Sequence, residues 1–204
     1  MASAGRPRLR DLFDDSPTPH IAHPPRTHRR DYYIAADGSF SHDASGLGVI
    51  IESRTGERVT RLAVPDHAPD NNVAEYRALH LGLDTLANRA PRDASVGVLV
   101  DHDDLAGNVN AAALAIRHPD YRPIRGFNVP PKAEHHWRGI RARVACFGDV
   151  RAAAVDSGEN PAHVLANTPE RYAHVNNEPA RCLLPDAADT ATGPQYPPPS
   201  RKYR

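Results

Sequence analysis

In the stretch VLVDHDDL (98–105) three apolar residues run straight into Asp101, Asp103 and Asp104. A second apolar run, DYYIAADGSF (31–40), reaches Asp37, and Glu75 stands early in the helical pattern NNVAEYRAL. Carboxylates brought together without a cation repel and push one another's pKa values upward. A divalent ion removes that penalty, and hard oxygen donors suit Mg²⁺ or Mn²⁺. Two such ions about 4 Å apart can clamp the attacking and leaving oxygens of a phosphodiester. Each residue also has a plainer role. Asp37 precedes a glycine, as turn residues do. Glu75 stands three after Asn72, a capping-box spacing. Asp101, Asp103 and Asp104 suit a helix cap and its dipole. A metal site accounts for Asp37, Glu75 and Asp101 at once, whereas Asp103 and Asp104 read as dipole residues.

Such a site needs elements that bring its parts together. Residues 31–40, 46–53 and 58–65 have the β-branched, aromatic or alternating character of three strands separated by turn signals, an antiparallel meander. The period then changes. Val73, Tyr76, Leu79, Leu83 and Leu86 mark one face of a helix, with Asn72 suited to its N-cap. SVGVLVD (95–101) is a nearly continuous apolar run, as in a parallel strand covered on both faces. Helices are expected over 103–116 and, after a loop rich in Pro and Arg, over 132–147. A fifth strand is expected over 149–156. A last helix is expected over 160–167, with Pro161 just inside its start. The predicted fold class is α/β: a five-stranded mixed sheet, three antiparallel strands then two parallel to the first, with helices on both faces. Right-handed crossovers leave few assemblies, and the simplest sets the first and fourth strands side by side. Asp37 and Asp101 then emerge at one sheet edge.

Composition sets outer bounds. The 204 residues suffice for one domain with a sizeable core. Ten of the 20 prolines lie in residues 1–30 and 181–204. Residues 1–30 read as an Arg/Pro/His-rich disordered tail, 31–170 as the folded domain, and 171–204 as a low-complexity C-terminal tail. The N-terminal stretch lacks the apolar run of a signal peptide, and no apolar run approaches membrane-spanning length. Cys146 and Cys182 form no CxxC pair, so a disulfide framework is not expected and a reducing cytoplasm fits. The net charge is zero but uneven. Residues 31–111 hold thirteen acids and six Arg/Lys, whereas 112–148 hold seven Arg/Lys and two acids. A metal-dependent nucleic-acid enzyme would use one part to collect cations and the other to collect phosphates. A solvated basic face accounts for the charge equally well.

The motifs ADGSF with the later GLG, NNVAEYRAL, VDHDDLAGNV, the Trp of EHHWRGI, and ENPAHVLAN, in this order, resemble ribonuclease H of type 1 over about residues 31–168. That family cuts the RNA strand of RNA–DNA hybrids, and its mixed sheet agrees with the strand order above. The resemblance implies that Asp37 bridges two metal ions. It implies that Glu75 and Asp101 hold the second ion, with Glu75 also sensing the ribose 2′-hydroxyl. Asn71 and Asn72 would touch the hybrid in its minor groove, and Gly38 and Ser39 would offer main-chain contacts to RNA. The segment from Arg117 to Arg143 matches a basic protrusion that grips the DNA strand, with Arg122, Arg125 and Lys132 the expected contacts.

Two departures bear on activity. The family's pattern N-x-A-D-x-L-A has a fourth carboxylate, and here His163 stands in its place in NPAHVLA. The preceding DSGE also lacks the mobile histidine of many bacterial members. His163 would be a ligand in an Mn²⁺-preferring site, a general base or proton shuttle beside the nucleophilic water, or the mark of lost activity. The expected function is metal-dependent endonucleolytic cleavage of the RNA strand of hybrids, leaving 5′-phosphate ends. The alternative is a non-catalytic or weakly active nucleic-acid-binding module on the same fold. An exonuclease relative would carry D-x-E on the first strand, where Ser39 stands instead.

Overall fold

A computed structural model describes residues 7–19, 29–41, 45–123 and 126–177. Its centre is a five-stranded sheet of β1 (Tyr32–Ser39), β2 (Gly46–Ser53), β3 (Arg58–Pro65), β4 (Ser95–Val100) and β5 (Asp149–Ala154), in the order β3-β2-β1-β4-β5. β1–β2 and β2–β3 pair antiparallel, whereas β1–β4 and β4–β5 pair parallel. The mixed sheet and the β1–β4 adjacency expected from the sequence are both present.

The central strands β1, β2 and β4 are buried on both faces along nearly their whole length, which is why they read as unbroken apolar runs. Side chains alternate across a strand. Ile34, Ala36, Val49, Ile51, Val96, Val98 and Val100 face one core, with α2 (Asn71–Ala87), α3 (Asp103–Arg117) and α4 (Glu134–Val144) over it. Trp137 is buried in that core. Tyr33, Ala35, Ile50, Leu99 and Ala153 face the other core, closed by α1 (Leu9–Asp15) and by α5 (His163–Asn167), with Val175 beyond it. A short helix, α6 (Pro169–Tyr172), and a 3₁₀ turn (Ala173–Asn177) follow.

Several expectations need correction. Asp37 does not end β1 in a turn; it lies within the strand opposite Gly48, two residues before the strand stops. The N-cap of α2 is Asp70, whose carboxylate accepts from the Val73 amide at 3.0 Å, so Asn72 and Glu75 form no capping box. Residues 1–30 are not wholly a tail. Leu9 and Phe13 are buried, and the Ala154 amide on edge strand β5 donates to the Pro17 carbonyl at 2.9 Å. The folded region likewise runs past residue 170, because Val175 is buried and Asn176 bonds both ways with the backbone of Ala63. The expected last helix begins at His163 rather than at Asn160. Arg125, Cys182 and the rest of both ends lie outside the described residues. No described helix is long and apolar enough to cross a membrane.

Candidate metal centre and nucleic-acid interface

The site grows from strand register. The last recorded β1–β4 pair is Ala35 with Leu99, and two residues further on stand Asp37 and Asp101. Both continue the face that carries Ala35 and Leu99, the α5 side. Glu75 arrives from the opposite side on α2. Gly38 makes that possible: a Cβ there would overlap the backbone of Ala74 and Glu75. α5 comes equally close over β2. A Cβ on Gly48, the cross-strand partner of Asp37, would overlap the Ala162 carbonyl oxygen. Asn160, 2 % exposed, donates from Nδ2 to the Ala36 carbonyl and accepts from the Ala162 amide, tying the start of α5 to β1.

These approaches set His163 Nδ1 3.0 Å from Asp37 Oδ2. One ligand atom each from Asp37, Asp101 and His163 lies within 4.8 Å of the others. Glu75 stands outside that trio, within hydrogen-bonding reach of the Asp37 carboxyl. Asp37 is 2 % exposed, and burial, followed by the charge of Asp101, pushes its pKa up to about 7 against the opposing influence of His163. Burial and then the charges of Asp37 and Asp101 hold Glu75 well above the ordinary carboxylate range. Glu75 Oε2 and Asp101 Oδ1 are buried without a hydrogen-bond partner. Buried carboxylate oxygens left unpaired cost stability unless a cation or proton joins them. The donor set therefore fits a hard divalent ion, with His163 the one nitrogen beside it.

Around this centre the expected nucleic-acid residues fare differently. Gly38 and Ser39 are buried within β1, so Gly38 serves helix packing whatever else it does. Asn71 and Asn72 are exposed at the start of α2. Asn72 Oδ1 lies 3.2 Å from His102 Nε2, while His102 Nδ1 accepts from the Leu105 amide and caps α3. Lys132 is exposed and lies 3.7 Å from Asp70 at the same helix start. Arg122 turns back on its own loop, donating to the carbonyls of Pro119 and Tyr121. Part of the basic surplus is used internally: Arg117 pairs with Asp149, and Arg143 with Asp84. Sequence reasoning missed Asn160, Ser157, Asn167 and His102 as site residues. Only ENPAHVLAN carried a signal for the first and third, and it was a signal of motif rather than of role.

No family model and no curated protein matches this sequence. Solved structures do resemble it. The N-terminal RNase H domain of Rv2228c from Mycobacterium tuberculosis is 19 % identical with a TM-score of 0.52, over 66 % of this chain and 95 % of that one. RNase H1 from the halophilic archaeon Halobacterium salinarum NRC-1 is 17 % identical with a TM-score of 0.50, over 69 % and 98 %. LC11-RNase H1, solved in complex with RNA/DNA hybrid, is 19 % identical with a TM-score of 0.50, over 66 % and 93 %. The chain has the ribonuclease H-like fold.

Proposed function

We propose that this protein is a metal-dependent endonuclease that hydrolyses the RNA strand of RNA–DNA hybrids. The observation that carries the reading is the meeting of Asp37, Glu75 and Asp101 at one sheet edge, with two buried carboxylate oxygens unpartnered. These three residues would hold Mg²⁺ or Mn²⁺. Two ions bound there would supply Lewis-acid stabilisation of the charge that develops on the phosphodiester and a more acidic water.

The chain's own share is positioning. β1 and β4 fix two carboxylates in register, and α2 adds the third from the opposite face. Glu75 is the group to read the ribose 2′-hydroxyl, which separates RNA from DNA. Asn71 and Asn72 offer amides beside the centre, and Lys132 adds positive charge at the same helix start, where phosphate contacts set register rather than sequence. Ser39 and Gly38 supply backbone next to Asp37. Arg122 and Arg125 complete the basic segment proposed to follow the DNA strand.

The test is incubation of end-labelled hybrid with the full chain in Mg²⁺ or in Mn²⁺. Fragments with 5′-phosphate ends are expected from the RNA strand alone. The contact of His163 on Asp37 supports the rival reading, a hybrid-binding module that does not cut. Retention of hybrid on a filter with no fragments in either ion would establish that rival.

A further inference from the structure

The His163 ring is engaged at both nitrogens, and one side dictates the other. Nε2 lies 2.8 Å from Asn167 Nδ2. The same Nδ2 lies 3.2 Å from the His163 carbonyl oxygen. A carbonyl oxygen can only accept, so the Asn167 amide must present its NH₂ there and turn Oδ1 away. An NH₂ group only donates, so Nε2 must accept. In the neutral imidazole the proton is then on Nδ1. That N–H faces Asp37 Oδ2 at 3.0 Å, with Ser157 Oγ at 3.1 Å as a second neighbour. The serine hydroxyl can donate or accept, so it adapts to either tautomer and selects neither.

We propose that Asn167 is a positioning residue that fixes the tautomer of His163, so that the ring offers Asp37 an N–H and divalent ions are held by carboxylates alone. The inference rests on the functional reading above for its ions. A nitrogen donor in the site would favour Mn²⁺ or softer ions over Mg²⁺. With the lone pair turned towards Asn167, the site keeps an all-oxygen set that accepts Mg²⁺. His163 thus occupies the place where a fourth carboxylate was expected without serving as a ligand. It donates a hydrogen bond to Asp37 instead.

Asn167 is exposed, so it can be changed without touching either core. The first measurement is the ¹⁵N spectrum of the imidazoles in the metal-free full chain, with His163 assigned by its loss in His163→Gln. Nδ1 is expected to carry the proton and Nε2 to be the bare nitrogen. The second uses Asn167→Asp, which sets a carboxylate against Nε2, as beside metal-ligating histidines. The proton should move to Nε2 and free the Nδ1 lone pair. Titration calorimetry should then show the ratio of Mn²⁺ to Mg²⁺ affinity rising about tenfold over the parent. Added negative charge alone strengthens both ions, so the ratio is the readout. In Asn167→Asp/His163→Gln it should fall back to the parent value. A parent protein protonated on Nε2, an Asn167→Asp ratio equal to the parent's, or no binding of either ion overturns the proposal. No nucleic acid is used, so uncut hybrid would defeat the functional reading and leave the tautomer assignment standing.

Discussion

Asp37 is where burial, charge and chemistry meet. Its carboxyl, buried and beside Asp101, has a pKa of about 7 in the folded, metal-free chain against an ordinary 3.8. Between those values the folded state keeps a proton that the unfolded state has released. Protons bound more tightly by the folded state make stability fall as pH rises. The stability linked to this group is therefore fully present below about pH 4 and is lost on going up through about pH 7. Glu75 acts in the same direction. With chelator present, urea unfolding should show stability lower at pH 8 than at pH 5 by on the order of a few kcal/mol. Asp37→Asn, which cannot titrate, should flatten most of that slope while cutting cleavage by about a thousandfold. A parent slope retained in the variant would mean that the burial of Asp37 is not what unsettles the site. Saturating Mg²⁺ at pH 8 should raise the parent's midpoint, since a ligand of the folded state alone stabilises it, and should raise that of Asp37→Asn much less.

At the scale of elements, the site depends on two close approaches rather than on the strands alone. Gly48 lets the start of α5 lie against β2 beside Asp37, and Gly38 does the same for α2. Gly48→Ala should force α5 outward, cost about 2 kcal/mol by urea unfolding, and remove the His163 contact on Asp37. Gly158→Ala is the matched control, because a Cβ there meets nothing within 4 Å. If both variants unfold at the parent's urea concentration, the packing account of Gly48 is wrong. Strand periodicity made the sheet legible: the antiparallel meander, the apolar run of β4 and the right-handed crossover left few orders, of which the simplest is the one present. Asp37 and Asp101 followed from it, because residues at matching positions of adjacent parallel strands must be neighbours. Tertiary detail was not legible. Asp70 and Asn72 both suit an N-cap, and only the chain's path selected Asp70. GLG shows in the sequence only as a motif, since a glycine's reason lies in what packs over it. The partners of His163 come from a loop and from the next helical turn, where spacing carries no signal of hydrogen bonding.

At the scale of the molecule, the largest departure from the sequence reading is the N-terminal segment. Residues 9–15 have only Leu9, Leu12 and Phe13 as apolar anchors among charges, and in the sequence they merge with a stretch rich in proline. Local pattern cannot show that the face of the sheet opposite α2–α4 would otherwise stay open at β1 and β4. The helix α1 closes it: Leu9 and Phe13 are each 1 % exposed, and Phe13 meets Tyr33 edge to face at 5.6 Å. Beyond the helix, the Pro17 carbonyl caps the edge strand β5, and Asn110 bonds the Pro19 carbonyl as well as both backbone groups of Ala152. Prolines suit this task because they cover a strand edge without offering a new one. The segment is thus part of the domain, and its removal should act on stability before it acts on nucleic-acid affinity. Phe13→Ala should cost about 3–4 kcal/mol. Deleting residues 1–19 should cost more and lower the midpoint of urea unfolding sharply. A passive basic tail predicts the opposite pattern: an unchanged midpoint, with hybrid binding weakened most at low salt. Urea unfolding of Phe13→Ala and of the truncated chain, set beside hybrid affinity at two salt concentrations, separates these accounts.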